Sequence, residues 1–93
     1  MQPLAHCVYV LLSLKDHQFY IGYTADLEAR LKDHAEGRTP STAPRRPMRL
    51  IFCEFYGSKR DALRRERYFK TAAGKRVLRL MLFESLKDPP RER

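Results

Sequence analysis

The sequence lacks the features that mark membrane and secreted proteins. Its longest apolar run, over residues 77–83, falls short of the ~20 residues that a membrane-spanning helix needs, and Arg79 interrupts it. The first residues lack the basic segment and the long apolar core of a secretory signal. We therefore expect a cytoplasmic protein with no membrane partner.

Cysteine and histidine are too few and too widely spaced for a structural zinc site. The chain has two cysteines and three histidines, with no Cys-x-x-Cys pair and no zinc-ligand spacing. Cys7 and Cys53 lie inside apolar, strand-like runs. Without a secretory signal, we expect both to be reduced thiols of the core rather than a disulfide.

Common catalytic motifs are missing as well, whereas positive charge is in excess. There is no Ser-His-Asp triad, no pair of catalytic carboxylates, no Walker loop and no dinucleotide-binding glycine fingerprint. The net charge of +8 on 93 residues favours nucleic acid as the partner, with an anionic membrane surface as the second choice. The plain alternative is a charge that only keeps the domain soluble. We expect one domain over 1–86 and a flexible, charged tail over 87–93.

Two β-rich runs, residues 7–14 and 19–24, predict a hairpin. A four-residue turn over 15–18 would pair Leu14 with Phe19 and place Tyr9 and Tyr20 on the same face, because side chains alternate along strands. Gly22 inside the second strand indicates a bulge or the close approach of another group.

A helix is predicted over residues 25–36, with Thr24 or Asp26 as its cap and Gly37 as its end. Positions 27, 30, 31 and 34 share one face at helical spacing. Two of them are core leucines, and the others are Arg30 and His34. We therefore expect this arginine away from the solvated face, in a break of pattern typical of functional sites.

The segment 37–47 is predicted to be a loop because it contains three prolines. It also carries cations and hydroxyls that suit phosphate oxygens: Arg38, Thr39, Ser41, Thr42, Arg45 and Arg46. An ordinary solvated loop is the alternative that composition leaves open.

A third strand over 50–56 is followed by a helix that Ser58 caps, with Asp61 as a capping-box analogue. One face of this helix carries Glu66 in the middle of core residues, namely Ala62, Leu63, Phe69 and Ala73. A buried carboxylate needs a cation beside it, which can be Lys70, an arginine or a metal ion. Gly74 should break this helix, and a third helix should follow over 75–86.

These polar residues at apolar positions fit phosphodiester hydrolysis. A single glutamate can hold Mg²⁺, which binds through one or two carboxylates together with waters and substrate phosphate. An arginine can bind the non-bridging oxygens, and a tyrosine or histidine can position or deprotonate the attacking water. Each residue alone also has a structural interpretation, such as a helix pair between Glu66 and Lys70.

Several motifs together resemble the GIY-YIG nuclease superfamily. Val8-Tyr9 and, eleven residues after the tyrosine, Tyr20-Ile21-Gly22 are similar to its signature, although Cys7 and Val8 replace the first glycine and isoleucine. Tyr23-Thr24 followed by Leu27-x-x-Arg30-Leu31-x-x-His34 resembles the first helix of the family. Ala62-Leu63-x-x-Glu66, with Lys70 after it, resembles the helix that carries the metal-binding glutamate, and residues 37–47 resemble the loop of small stand-alone members.

The resemblance implies an α+β fold with a three-stranded antiparallel sheet flanked by three helices, in the order β-β-α-β-α-α. It implies that Tyr9 is the general base or orients water, that Tyr20 contacts phosphate or water, and that Arg30 stabilises transition-state charge. His34 would assist, Glu66 would bind one Mg²⁺ or Mn²⁺, and Gly22 would be needed because a side chain there would crowd the site.

The expected function is therefore metal-dependent hydrolysis or nicking of nucleic acid, most readily DNA, with low sequence specificity and a role in repair or recombination. The substrate would be held by Arg38, Thr42, Arg45, Arg46 and Lys70. A nucleic-acid-binding module with little or no turnover is the main alternative, and an interaction domain of a larger repair assembly is the third.

Overall fold

A three-stranded antiparallel sheet is the centre of the computed structural model, which describes residues 1–87. The strands, in the spatial order β2-β1-β3, are β1 His6–Ser13, β2 Phe19–Thr24 and β3 Met48–Tyr56. The helices are α1 Leu27–Ala35, α2 Lys59–Phe69, α3 Ala72–Met81 and α4 Phe83–Lys87. The predicted α+β class and antiparallel sheet are confirmed. The predicted tail lies outside the described residues, apart from Lys87.

Helices cover both faces of the central strand β1. Because side chains alternate along a strand, Val8 and Val10 point to one face, where they pack with Phe69 of α2 and Leu78 of α3. Tyr9 points to the opposite face with Cys7 and Leu11, and this group packs against two leucines of α1. The candidate site lies on the α1 side of the sheet.

The register of the hairpin differs from the predicted one by two residues. The structure pairs Leu12 with Phe19 and Tyr9 with Gly22. An even shift leaves every side chain on its predicted face, so Tyr9 and Tyr20 still share a face. The sequence therefore predicted the correct face from an incorrect pairing.

Ser13 explains why the turn is longer than expected. Its hydroxyl oxygen accepts hydrogen bonds from the backbone N–H groups of Lys15, at 3.1 Å, and Asp16, at 3.0 Å. Ser13 also donates its own N–H to the carbonyl of Gln18, which closes the hairpin. Local side-chain bonds of this kind compete with continuation of the strand.

Helix α1 begins two residues later than predicted because Asp26 is its cap. The Asp26 carboxylate accepts a hydrogen bond from the backbone N–H of Ala29 at 3.1 Å. The helix ends at Ala35, and Gly37 follows with a φ of 76°, a left-handed conformation that glycine adopts without strain.

Gly74 lies inside α3 and does not end a helix, contrary to the prediction. A Cβ at this position would lie 1.9 Å from the carbonyl oxygen of Tyr68, so glycine permits close contact between α2 and α3. The break comes earlier, where Thr71 caps α3 by accepting a hydrogen bond from the N–H of Gly74. Ala73, predicted as a core residue, is exposed.

The predicted third helix over 75–86 is divided into α3 and α4. The division falls at Leu82, so the described residues form four α-helices rather than three, besides a single 3₁₀ turn at Ala43–Arg45 in the 37–47 loop. None of the helices within residues 1–87 is long and apolar enough to cross a membrane.

The two cysteines have different environments. Cys7 is fully buried, whereas Cys53 on β3 is exposed, and both are free thiols. The expectation of two core thiols is therefore wrong for Cys53. Its neighbour Phe55, on the same face of β3, is 43% exposed, which shows that α1 leaves this outer strand largely uncovered.

Candidate active site around the Tyr9 hydroxyl

The ring of Tyr9 lies across the backbone of Gly22 in the neighbouring strand. These residues are directly paired, and a Cβ on Gly22 would come within 2.5 Å of the Tyr9 hydroxyl oxygen. Any other residue at position 22 would therefore push the phenol out of place. Tyr9 itself is 1% exposed, so its surroundings hold it on every side.

A chain of three buried side chains starts at this hydroxyl. The Tyr9 oxygen lies 2.8 Å from Nε2 of His34, and Nδ1 of His34 lies 2.7 Å from the hydroxyl oxygen of Thr42. His34 is 2% exposed and Thr42 is fully buried. Strand β1, helix α1 and the 37–47 loop each supply one member of the chain.

The pKa values of Tyr9 and His34 are shifted in opposite directions. Burial raises the pKa of Tyr9 above its ordinary value of 10.0, and nearby Tyr20 adds to this increase. Burial and the positive charge of Arg30 lower the pKa of His34 below 6.5. At neutral pH the pair is therefore a protonated phenol beside an uncharged imidazole, which can accept a proton.

Tyr20 completes an aromatic cluster on the same face. Its ring centroid lies 6.3 Å from that of Tyr9 and 5.0 Å from that of His34, in an edge-on arrangement with the imidazole. Tyr20 is only half-buried. Of the three rings in this cluster, it is therefore the one that solvent reaches.

Arg30 is exposed, contrary to the expectation that it would avoid the solvated face. Its long side chain reaches past the helix surface, so a position on the leucine face does not bury the guanidinium. Its positive charge nevertheless opposes the increase in the pKa of Tyr9 and adds to the decrease in the pKa of His34. Within residues 1–87 it forms no ion pair, which leaves it available to an anion.

Glu66 is partly buried and paired with Lys70. Its side chain is 18% exposed, and its carboxylate lies 3.1 Å from the lysine ammonium. Its negative charge makes a minor contribution to the raised pKa of Tyr9, after burial and the neighbouring Tyr20. Helix α2, which carries Glu66, packs through Ala62 and Phe69 on the Val8 face of the sheet, opposite to the face of Tyr9.

The donor set around Glu66 determines which metal ions could bind. Within the described residues, no three His, Cys, Asp or Glu side chains are grouped closely enough to hold an ion. One carboxylate does suit a magnesium ion that keeps its waters and is completed by a substrate phosphate. It does not suit an ion held by protein ligands alone.

The loop residues predicted to hold phosphate mostly have partners within the chain. Thr42 is buried against His34, which corrects its expected place at the surface. Arg45 forms an ion pair with Asp16 at 2.8 Å and donates to the carbonyls of Gln18 and Phe19. It therefore ties the loop to the hairpin turn.

Arg38 and Arg46 also stabilise the loop, although both are exposed. Arg38 forms ion pairs with Asp33 and Glu36 at the end of α1. Arg46 donates to the carbonyl of Ala43 at 3.0 Å, and its guanidinium packs over the position where Gly37 lacks a side chain. These cations can reach an anion only from their outer sides.

A second cationic surface lies on α2 and was not predicted. Arg60, Arg64 and Arg67 line a groove of about 360 Å³ together with Leu63. Only Arg64 has an acidic partner among the described residues, namely Asp61. The spacing of the three arginines follows the helical repeat, so the signal was present in the sequence.

Comparisons with known proteins agree on one domain type. A family model described as "GIY-YIG catalytic domain" matches residues 5–79, a range that contains every candidate residue above. UPF0213 protein YazA of Bacillus subtilis (strain 168) is 42% identical over 77 residues, covering 82% of this chain and 77% of that protein. UPF0213 protein SH2523 of Staphylococcus haemolyticus is 38% identical over 77 residues, covering 82% and 93%.

A solved structure is also similar. It is the solution NMR structure of the UPF0213 protein BH0048 from Bacillus halodurans, with a TM-score of 0.51 and 38% sequence identity. The match covers 91% of this chain and 87% of that chain. The likeness therefore extends over nearly the whole domain.

Proposed function

Because this chain belongs to the GIY-YIG family of nuclease domains, we propose that it is a metal-dependent endonuclease that hydrolyses phosphodiester bonds in nucleic acid. The observation that carries the proposal is the buried hydrogen bond of 2.8 Å between Tyr9 and His34. An uncharged imidazole that is hydrogen-bonded to a phenol can accept a proton from attacking water through that phenol, and a nearby arginine without an ion-pair partner among residues 1–87 can bind the phosphate.

In the proposed reaction, Tyr9 and His34 move one proton away from the attacking water. The Tyr9 oxygen takes a proton from water while its own proton passes to Nε2 of His34. The water oxygen forms a new bond to phosphorus as the bond to the leaving oxygen breaks, and that oxygen takes a proton from solvent. His34 can accept the proton because burial and the charge of Arg30 keep it neutral.

The neighbours of the Tyr9 hydroxyl limit the direction from which substrate can approach. Gly22 lies against the ring and His34 bonds the oxygen, so we place the attacking water toward Tyr20 and Arg30. Half-buried Tyr20 can contact this water or a phosphate oxygen. Exposed Arg30 can bind non-bridging oxygens through its planar fork and stabilise the charge that develops on them.

Glu66 is the residue that would hold a divalent ion, Mg²⁺ or Mn²⁺. Nucleases of this family generally use such an ion, and when bound it supplies positive charge to the phosphate and the leaving oxygen. Lys70 must then leave the carboxylate, since it lies 3.1 Å away in this structure. A released Lys70 would bind phosphate instead, as expected from the sequence.

The substrate is proposed to be DNA, with a role in repair or recombination in the cytoplasm. The positive charge and the arginine groove on α2 support a polyanion. Arg38 and Arg46 keep exposed surfaces beside the site and stay in the proposed contact set. Two free thiols fit a reducing compartment.

A nucleic-acid-binding module with little turnover is the second candidate. Two observations favour it: the Tyr9 hydroxyl is nearly inaccessible, and Lys70 already neutralises Glu66. Both candidates predict binding that weakens with salt, because phosphate contacts release counterions. Cleavage alone separates them.

Nicking of supercoiled plasmid in Mg²⁺ or Mn²⁺, with EDTA as the blank, tests the proposal. We expect Tyr9→Phe, Arg30→Ala and Glu66→Gln each to lower the rate by about 10²-fold or more. The matched control is Tyr23→Phe, which removes a tyrosine hydroxyl that bonds His6 at 2.7 Å on the opposite face of the sheet. Cleavage that survives all three site substitutions would contradict the assigned site. No cleavage of duplex, branched or single-stranded substrates would favour the binding module.

A further inference from the structure

We infer that Thr42 is a positioning residue, whose hydroxyl holds His34 in the tautomer that can receive the proton of Tyr9. The predicted effect on reaction rate rests on the proposed function, whereas the effect on the tautomer does not. Thr42 belongs to the loop rather than to either helix of the site, and among the candidate catalytic groups of residues 1–87 its side chain forms a hydrogen bond with His34 alone.

The direction of the hydrogen bonds follows from counting protons. A threonine hydroxyl has one proton, and the carbonyl of Thr39 lies 3.4 Å from the Thr42 oxygen as an acceptor for it. The lone pairs of Thr42 are then free to accept a proton from Nδ1 of His34, at 2.7 Å. In a neutral imidazole the other nitrogen, Nε2, must then be bare, and it accepts the single proton of Tyr9.

The reverse direction leaves the buried Tyr9 proton without a well-formed hydrogen bond to a side chain of the described residues. If Thr42 donated to Nδ1, then Nε2 would carry the proton and point it at the Tyr9 oxygen. The proton of Tyr9 would then have only the hydroxyl of Tyr20 as a side-chain acceptor within residues 1–87, and that contact is not among the regular hydrogen bonds of the structure. Buried donors without partners are costly and rare, so the first direction is preferred.

The charged and polar groups around His34 are consistent with a neutral imidazole whose proton lies on Nδ1. Arg30 and Asp33 of its own helix act in opposite senses on its pKa, and Arg30 has the larger effect. Tyr9 and Tyr20 face the ring from the sheet, and Thr42 faces it from the loop. Neither ring nitrogen bonds a carboxylate in the described part of the chain. A hydroxyl therefore orients the ring without stabilising its charged form strongly, and the imidazole stays neutral until it receives a proton.

NMR of ¹⁵N-labelled histidine tests the tautomer directly, with no need for catalysis. We expect the wild-type spectrum to show the proton of His34 on Nδ1. Thr42→Val keeps the shape and removes the hydroxyl, so we expect the proton to move to Nε2. Thr42→Ser keeps the hydroxyl, so it should restore the wild-type tautomer.

Plasmid nicking, corrected for the folded fraction by circular dichroism, gives the functional readout. We expect Thr42→Val to lower the rate about 10–100-fold at every pH, because Nε2 is no longer free to accept the proton, and Thr42→Ser to stay within about 3-fold of wild type. A role in folding alone would lower stability but leave the rate per folded molecule and the tautomer unchanged.

The tautomer of His34 and the nicking rate distinguish the role of Thr42 from the proposed nuclease activity. A wild-type His34 with its proton on Nε2 would overturn the role of Thr42, whatever the variants do. A tautomer that switches as expected in a protein that never cleaves would support the positioning role and refute the nuclease. Normal nicking by Thr42→Val would contradict the positioning role and leave the proposed function standing.

Discussion

Replacing Gly22 by alanine perturbs the site with a single methyl group. The new Cβ would lie 2.5 Å from the Tyr9 hydroxyl oxygen and 2.6 Å from the adjacent ring carbon. Nonbonded heavy atoms settle ~3.5–4.0 Å apart, so the ring must move by roughly 1 Å. A movement of that size breaks the 2.8 Å hydrogen bond to His34.

The energetic effect follows from these distances. Overpacking of a core costs ~1–3 kcal/mol, and a buried hydrogen-bonding group left without its partner costs ~1–3 kcal/mol. Alanine regains about 0.5–1 kcal/mol over glycine in a strand. We therefore expect Gly22→Ala to lower the free energy of unfolding by about 1–5 kcal/mol, a substantial part of the ~5–15 kcal/mol typical of a domain.

Urea unfolding followed by circular dichroism measures this loss, and Gly57→Ala is the matched control. A Cβ at Gly57 would meet only a flexible methyl of Leu4, at 3.7 Å, and the backbone has no positive φ there. Its unfolding free energy should change by less than about 1 kcal/mol. Equal stabilities for the two variants would refute the claim that Gly22 makes room for the phenol.

Two further predictions concern pH and salt. The pKa of His34 is depressed in the folded protein, so its contribution to stability is complete above the unfolded pKa near 6.5 and is lost as pH falls through the folded pKa. The plot of unfolding free energy against pH should therefore fall on its acid side, and His34→Gln should flatten that fall. His17→Gln, at an exposed position, should leave it unchanged. If the α2 groove binds phosphates, Arg60→Gln/Arg67→Gln should reduce the slope of log binding constant against log salt by about 2 on duplex DNA. The charge-matched control Lys75→Gln/Arg76→Gln on α3 should leave that slope nearly unchanged, and equal changes would indicate a general charge effect.

The sequence predicted the faces of the fold better than its details. Alternation along β1 placed Tyr9 correctly, and helical spacing placed His34 on the buried side of α1. The hairpin register failed by two residues because Ser13 begins the turn through its own side chain, which a propensity argument does not contain. Because a shift of two residues keeps each side chain on the same face of the sheet, the predicted site survived that error.

Residues in the loop could not be assigned from the sequence because their partners are distant along the chain. Arg45 forms a hydrogen bond with Asp16, which lies 29 residues away in the sequence. That Arg45 binds the hairpin turn rather than solvent or substrate is therefore visible only in the structure. Thr42 and His34 are 8 residues apart and belong to different elements. For Arg30, helical spacing gave the face but not the reach of a long side chain, which takes the guanidinium to solvent.

The most direct test of the proposed activity is the single-turnover nicking rate of Tyr9→Phe relative to Tyr23→Phe in Mg²⁺. Both variants lose one tyrosine hydroxyl that bonds a histidine, at 2.8 Å and 2.7 Å respectively, but only Tyr9 belongs to the candidate site. We predict that Tyr9→Phe is slower by about 10²–10⁴-fold, the usual contribution of a general base, and that Tyr23→Phe matches wild type. Equal rates for the two variants would contradict the assignment of the reaction to the Tyr9 hydroxyl.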